Sequence, residues 1–440
     1  MSQPHAKYLV VIFFAFWGVN VFAQTNTTSN PTDGRENDPY SKYGIGELVN
    51  GANASVRGMA NITSAYVNPY EVNSENPASY SYLQRTTFEA AFTASTRSIS
   101  ANGLSYNTGT ASISYVNIGI PINKNAGMCL GFKPIARTYY SLVDTTTSAL
   151  GSPIGNAARS YNGEGSLNYA YLGGAYRFHD LSVGVNIGYM FGTIQNNTAV
   201  VPIDTAQINR AFTAEYNNFT RIGGIYWKAG LMYQHKIDSD YSFRIGGTFA
   251  MSQNLNEQLS SYQVSVYNFG DTIVNDTTSN SGVSHGKLTM PYTYSIGVMF
   301  TKTDKWSMGL DYTTSKWSQF NSSPDASRNV GIANSAYKIA FGGEYTPDIN
   351  SIRNYFSHVT YKYGVYYGTD YLNLINSTIP YYGLTVGGSL PFRRNTSKLH
   401  GALDIGRLGT TANSQVQETY VRFTLGFSFN DRWFIPRKYD

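Results

Sequence analysis

The sequence is poor in charged residues and almost devoid of cysteine. Only 13% of its 440 residues are Asp, Glu, Lys or Arg, whereas a soluble globular chain carries about 25%. The single cysteine, Cys129, excludes an intrachain disulfide and a cysteine-rich metal site. The net charge of +5 comes from 32 basic and 27 acidic residues without a basic cluster, which disfavours a nucleic-acid partner. The composition therefore argues against an ordinary soluble domain, a disulfide scaffold and a nucleic-acid-binding protein.

The apolar run at the amino terminus is too short to cross a membrane comfortably. A spanning helix needs about 20 apolar residues, but the run over 8–22 contains Gly18 and Asn20. Lys7 precedes the run, and Ala23 offers a small-residue cleavage site. We expect residues 1–23 to be a signal peptide and the mature chain to be exported; the alternative is an uncleaved anchor.

What the chain has in abundance is tyrosine, glycine and alternation of apolar with small or polar residues. Phe423, Leu425 and Phe427 alternate with small or polar neighbours, and the same pattern covers 181–191. This period of two predicts β-strands. Fourteen candidate strands begin near Thr86, Tyr106, Ala126, Tyr161, Leu181, Phe219, Tyr241, His285, Lys305, Ala336, Phe356, Ile379, Ser397 and Glu418.

Strand length and loop length together indicate a membrane barrel. Several candidates span 10 to 15 residues, and a tilted strand crosses a bilayer in about 9 to 11. Short connections such as 121–126 and 178–180 alternate with long polar ones, which we place at 142–160, 195–218, 254–284 and 319–335. Such alternation is typical of barrels with tight periplasmic turns and long external loops.

The predicted fold is therefore all-β: a 14-stranded antiparallel transmembrane β-barrel over residues 84–440. A closed sheet is required because hydrocarbon satisfies no backbone N–H or C=O group. We expect it in the outer membrane of a Gram-negative cell, with both termini in the periplasm. A soluble β-sandwich with an aromatic core is the alternative.

Residues 24–83 do not alternate cleanly, and we interpret them as an N-terminal hatch, or plug, in the lumen. The interior of a 14-stranded barrel is too wide for its own side chains to fill. Gly, Tyr and Asn-Pro signals in this segment indicate ordered turns. A disordered periplasmic tail is the alternative.

Two stretches resemble a known family. Arg57-Gly58-Met59-Ala60, followed by Asn76-Pro77-Ala78, is similar to the hatch signature of the long-chain fatty acid transporter (FadL/TodX-like) family. The segment from Leu288-Thr289-Met290-Pro291 to Trp317-Ser318-Gln319-Phe320 resembles its strand-turn-strand element. The resemblance implies a 14-stranded barrel with a lumenal hatch that passes hydrophobic small molecules. The hatch also resembles, more loosely, that of a branch serving type IX secretion.

The third candidate strand carries the residues that we assign to a lateral opening, Gly131 and Pro134. Proline removes a hydrogen bond from the strand ladder, so the wall should kink there. The resemblance implies a gap at this strand through which ligand leaves sideways; a simple bulge near the rim is the alternative. The second strand has two readings, with either Val116, Ile118 and Ile120 or Ala111, Ile113 and Tyr115 facing outward.

The six histidines show no nucleophile-base motif, and no phosphate, dinucleotide or metal spacing occurs. We therefore predict a protein that is not an enzyme and that needs no cofactor or metal, with a lipid-face Ser/His hydrolase as the alternative. The lumen has no ring of charge to select ions, which favours an apolar or amphiphilic passenger. We predict passive uptake of hydrophobic small molecules such as long-chain fatty acids, with outer-membrane lipid as a second partner. The alternative function is a non-transporting barrel that docks or tethers an exported-protein partner.

Overall fold

The computed structural model describes residues 37–433, except 102, 147–156, 203–212, 270–271, 352–353, 375–376, 393–395 and 412–415. The predicted signal peptide, residues 1–23, and the leader that follows it lie outside the described residues. Within these ranges, none of the helices has the length and apolarity needed to span a membrane.

Fourteen antiparallel strands in the described part of the chain pair in a closed ring. Each strand pairs with the next, and the last pairs with the first through Gln417↔Ser100 to Asp431↔Thr86. The seventh and eighth strands are each interrupted by two residues, and both halves of one pair with the corresponding halves of the other. On its other edge, the first half of the eighth strand pairs with Asn321–Ser322 and the second half with Trp306–Ser315. The predicted fold class is confirmed. The strands are β1 (Thr86–Ala101), β2 (Leu104–Pro121), β3 (Ala126–Thr146), β4 (Ala157–Phe178), β5 (Leu181–Pro202), β6 (Thr213–Lys236), β7 (Tyr241–Ala250 and Gln253–Phe269), β8 (Thr272–Met290 and Thr293–Lys302), β9 (Trp306–Ser315), β10 (Ala336–Tyr345), β11 (Thr360–Leu374), β12 (Ser377–Pro391), β13 (Lys398–Leu408) and β14 (Gln417–Asp431).

The outer face of the ring is apolar because alternate strand residues point outward. On β14 Leu425 and Phe429 are exposed while Ser428 between them is buried. A bulge in β2 explains why the sequence allowed two alternative outward-facing sets of residues in that strand. Ala91 pairs with Tyr115 but Phe92 pairs with Ile113, so the facing switches at the bulge: Ile113 lies outward above it, and Tyr115 is buried.

The expectation of a loop over 254–284 is wrong. Most of those residues continue β7 and β8 as paired strands, and β3 to β6 similarly extend into 142–160 and 195–218. Beyond the apolar band the outward positions are polar, as at Asn254 and Asn256, while Leu255 between them is buried. The outward apolar pattern is therefore lost although backbone pairing continues. The starts predicted at His285 and Phe356 are also wrong, because β8 begins at Thr272 and Tyr355–His358 forms a 3-10 turn before β11.

Residues 37–85, which we call the hatch segment after the hatch predicted over 24–83, contact inward-facing residues of the ring. This segment comprises a 3-10 turn Pro39–Lys42, a two-residue strand Glu47–Leu48, the helix α1 (Ala54–Arg57) and a 3-10 helix Pro77–Tyr82. Its backbone and side chains contact inward-facing residues on strands around the ring, from Asn186 on β5 to Thr385 on β12. Its own large side chains are almost fully buried: Met59, Ile62, Tyr66 and Tyr80.

Glycines let the hatch backbone approach the wall closely. A Cβ atom added to Gly246 would lie 1.8 Å from the Ser64 carbonyl oxygen, and one at Gly364 would lie 2.5 Å from the Ala60 nitrogen. Glycines whose added Cβ would meet a hatch atom, either of the backbone or of a side chain, occur on twelve of the fourteen strands, and we call them the glycine belt. Its members are Gly119, Gly127, Gly173, Gly184, Gly230, Gly246, Gly297, Gly309, Gly342, Gly364, Gly387 and Gly426.

The glycine belt makes a testable prediction. Gly246→Ala should destabilise hatch seating by about 1–3 kcal/mol, because the methyl group has no room and backbone must move. Gly401→Ala is the matched control, since nothing lies within 4 Å of a Cβ there. Protection of residues 60–66 against amide hydrogen exchange measures the difference. Equal protection in the two variants would contradict close packing of hatch and wall.

Candidate functional site

The wall is interrupted between β2 and β3. Their register runs from Pro121↔Gly127 to Val116↔Phe132. In the described residues the remainder of β2, up to Leu104, pairs only with β1, while β3 continues along β4 to Thr146. We call this interruption the slit. Gly131 and Pro134 flank the point at which the pairing ends, and a bulge in the β3–β4 register follows Pro134.

The hatch segment pairs with the edge of β3 that β2 leaves. Glu47 and Leu48 are in antiparallel register with Arg137 and Ala136, and the Val49 N–H donates to the Ile135 carbonyl at 2.8 Å. Further along the edge, the Asp38 N–H donates to the Tyr139 carbonyl at 2.9 Å. Residues 37–49 therefore supply backbone partners that an adjacent strand would otherwise provide.

Two residues, Asn37 and Arg137, bond across to β2. The Asn37 N–H donates to Thr108 Oγ1 at 3.0 Å, and its side chain also bonds Ser141 on β3. The Arg137 guanidinium donates to the Ser112 hydroxyl and, at 3.1 Å, to the Ile113 carbonyl. Above Phe132 the slit is thus spanned by side chains in place of a strand ladder.

A buried ion cluster anchors this part of the hatch. Arg97 on β1 is 1% exposed and pairs with Asp38 at 3.3 Å, with Glu47 at 2.8 Å and with Glu418 on β14. Arg422, also on β14, pairs with Glu47 at 2.7 Å. Removing one member would leave buried charge without its partner, which costs far more than an exposed ion pair does.

A second anchor joins the hatch to the kink itself. Glu75 lies between Lys133, the residue before Pro134, and Lys228 on β6, the latter at 2.7 Å. Burial opposes ionisation of Glu75, but the two ammonium groups outweigh it and lower the pKa of its carboxyl. Burial likewise opposes ionisation of Glu71, whose pKa is lowered chiefly by Lys398 and also by Lys362.

The first predicted hatch motif contacts the seam between β1 and β14. One nitrogen of Arg57 donates to Thr93 on β1 at 2.6 Å and to Thr424 on β14 at 3.1 Å. Gly58 lies against Gly387, and Met59 is fully buried. Ala60 adopts a left-handed φ of 54°, and the Thr385 hydroxyl and Lys338 ammonium bond its backbone at 2.8 Å each.

The second motif seats against β5 and β6. The Asn76 side chain caps the helix that Pro77 begins, accepting from the Ala78 N–H at 3.0 Å. Its amide also donates to the Ser64 carbonyl at 2.6 Å, and the Ala78 carbonyl accepts from Ser182 at 2.7 Å. The two motifs therefore contact different sides of the wall. The second lies next to Glu75, through which it connects to the kink.

Gly131 leaves space beside the slit for the Tyr171 side chain. A Cβ there would lie 2.3 Å from the Tyr171 hydroxyl oxygen, which donates to Asn117 at 2.7 Å. The charged residues that hold the hatch were not predicted from the sequence, namely Glu47, Glu75, Arg97, Lys133 and Arg137. Charged side chains at inward positions of an otherwise apolar strand pattern were the signal that could have identified several of them.

One histidine lies between two serines. His400 contacts the Ser389 hydroxyl through Nδ1 at 2.8 Å and the Ser428 hydroxyl through Nε2 at 3.1 Å. In a hydrolase triad one ring nitrogen faces a serine and the other an orienting carboxylate, which is a different arrangement. No cluster of three or more His, Cys, Asp or Glu suited to a metal ion occurs within the described ranges.

A family model described as BamG matches residues 6–440. The chain belongs to the BamG family. No curated protein matches this BamG-family chain in sequence. Its fold is similar to that of solved barrel structures that share little sequence identity with it. The toluene transporter TodX of Pseudomonas putida shares 14% identity, with a TM-score of 0.56 over 88% of this chain and 99% of that one.

Two further structures share the fold of this BamG-family chain. A FadL homologue of Pseudomonas aeruginosa has 12% identity and a TM-score of 0.56, over 88% of this chain and 100% of that one. The toluene transporter TbuX of Ralstonia pickettii has 15% identity and a TM-score of 0.53, over 86% and 98%. The predicted resemblance to FadL/TodX-like proteins is confirmed for the fold, whereas the family is a different one.

The lowered pKa values of Glu71 and Glu75 predict acid sensitivity of the hatch. Their stabilisation is fully present above the unfolded-state pKa of about 4.3 and is lost as the pH falls further toward the folded-state values. Glu75→Gln should weaken hatch seating at pH 7 by about 2 kcal/mol, because two ammonium groups lose their counter-ion.

Amide exchange of residues 71–82, corrected for intrinsic rates, measures this effect at pH 7 and pH 3.5. Wild-type protection should fall at pH 3.5, and Glu75→Gln should show a smaller fall from a lower starting value. Glu215→Gln on β6 is the control and should behave as wild type. A pH-independent wild type would refute the assignment.

Proposed function

We propose that this BamG-family chain is an outer-membrane channel for passive uptake of hydrophobic small molecules such as long-chain fatty acids. The hatch gates it, and the passenger leaves sideways through the slit. The end of β2–β3 pairing at Val116↔Phe132 carries the proposal, because an unpaired seam is the place where a barrel wall separates at least cost. The structural similarity to proteins described as toluene transporters supports it.

The surface beside the slit suits an apolar passenger. Phe132 on β3 and Ile113 on β2 are exposed, at 38% and 51%, on the two sides of the slit. Apolar ligand gains about 25 cal/mol for each Å² removed from water, so it would favour passage along these side chains toward lipid. Opening requires residues 37–49 to leave the edge of β3.

The proposed topology places the short connections in the periplasm. Those after β2, β4 and β8 are two to four residues, at 122–125, 179–180 and 303–305, as expected for periplasmic turns. Both termini would then lie on the same, periplasmic side, because the ring has an even number of strands.

A reversible cross-link tests the gate. Leu48→Cys with Ala136→Cys, at register partners of an antiparallel pair, lies within the reach of a disulfide. Oxidation should lock the hatch to β3 and reduce uptake of a labelled long-chain fatty acid by intact cells at least tenfold, and a reductant should restore it.

The control places the cysteines at Phe88 and Phe429, register partners on β1 and β14 away from the slit. Its uptake should not change on oxidation. Unchanged uptake in the locked Leu48–Ala136 pair would exclude gating here, and equal uptake with and without the gene would exclude transport altogether.

The second candidate function is a barrel that docks or tethers exported proteins without transport. Close packing of the hatch against the glycine belt favours it, because displacing the hatch would break contacts on twelve strands. Purification of the full chain in mild detergent should then retain a protein partner at fixed stoichiometry, in cells whose fatty acid uptake does not depend on the gene.

A further inference from the structure

A cleft of about 320 Å³ lies beside the slit. Three hatch residues, Asp38, Ser41 and Glu47, form one side, and residues of β2, β3, β4 and β5 form the others. The space is large enough for about ten water molecules at 30 Å³ each. It is also within the range of small-molecule sites.

The cleft begins where the apolar band of the wall ends. On β5 every second residue from Leu181 to Phe191 is an exposed apolar side chain, and the next two outward positions, Thr193 and Gln195, line the cleft. Phe132 on β3 lies 6.4 Å from Phe191, measured between ring centroids. A ligand in the cleft thus has polar groups around one part and an apolar surface next to the other.

The lining is rich in hydroxyl and amide groups. Thr110, Thr138 and Tyr139 join Thr193 and Gln195, and such groups both donate and accept hydrogen bonds. Neutral polyhydroxyl groups can use donors and acceptors together, whereas a simple ion needs charge of the opposite sign.

The charges in the lining do not favour an anion. Three carboxylates, Asp38, Glu47 and Glu164, face one guanidinium, Arg137. Arg97 already pairs with Asp38 and Glu47, and Arg137 already donates to Ser112 and the Ile113 carbonyl. The lining therefore has no excess of positive charge that would hold an anion, and its carboxylates can accept hydrogen bonds from neutral hydroxyls.

We propose that the cleft binds the neutral, hydroxyl-rich headgroup of a glycosyl amphiphile, whose chain lies along Phe132 and Phe191. The inference deepens the proposed function and rests on it, since it names the headgroup that the cleft favours among the amphiphiles that pass the slit. Glu164 and Thr193 would accept and donate hydrogen bonds to the sugar hydroxyls, and the hatch residues would close the far side.

Three probes with the same twelve-carbon chain isolate the contribution of the headgroup: dodecyl maltoside, laurate and dodecyltrimethylammonium. Saturable binding of each labelled probe to the full chain in amphipol is measured by equilibrium dialysis. Dodecyl maltoside should bind at least tenfold more tightly than either ion. Glu164→Gln and Thr193→Val should each weaken it about three- to tenfold without changing laurate binding, whereas Glu215→Gln should have no effect.

The outcomes separate the two proposals. Equal binding of all probes, unaffected by the variants, leaves chain-driven passage standing and removes the headgroup site. Tighter binding of the trimethylammonium probe would make the cleft a cation site and overturn the inference. No saturable binding of any probe, with uptake independent of the gene, would overturn both proposals. A shift in gel migration on heating verifies that each variant is folded. If Glu164→Gln does not fold, the binding result for Thr193→Val tests the inference.

Discussion

Backbone hydrogen bonding is the constraint on which this structure depends. A wall in lipid must pair its N–H and C=O groups within itself, and the ring does so from β3 around to β2. At the slit it does not, and residues 37–49 provide the partners. The hatch is thus a part of the sheet as well as an occupant of the lumen. Movement of residues 37–49 would consequently also break hydrogen bonds of the wall.

The charge distribution follows from the same arrangement. Charged residues are scarce, and many of those on the inner face hold the hatch: Arg97 and Arg422 through Glu47, and Lys133 and Lys228 through Glu75. In a partly dehydrated interior these pairs are strong when complete and costly when broken. The glycines of the wall also allow this arrangement, because a side chain at their positions would keep the hatch away from the wall.

The strand count and most strand starts could be predicted from the sequence, because outward side chains must be apolar wherever they meet lipid. The same rule failed at 254–284, where the outward positions are mostly polar although backbone pairing continues. It also failed in β2, where one bulge reverses the facing within a strand. Of the site, Gly131 and Pro134 were visible as ladder-breaking residues. The cleft was not, since it combines five separate segments of chain.

Arg57 has a consequence for how the molecule closes. Its guanidinium bonds Thr93 on the first strand and Thr424 on the last, and Glu47 links Arg97 and Arg422 across the same seam. These are the strands most distant in sequence, so their meeting carries the largest loop-closure entropy in the ring. Because the N-terminal segment contacts both sides of this seam, its bonds offset part of that entropy. Assembly of the cylinder and capture of its contents should therefore be one cooperative event.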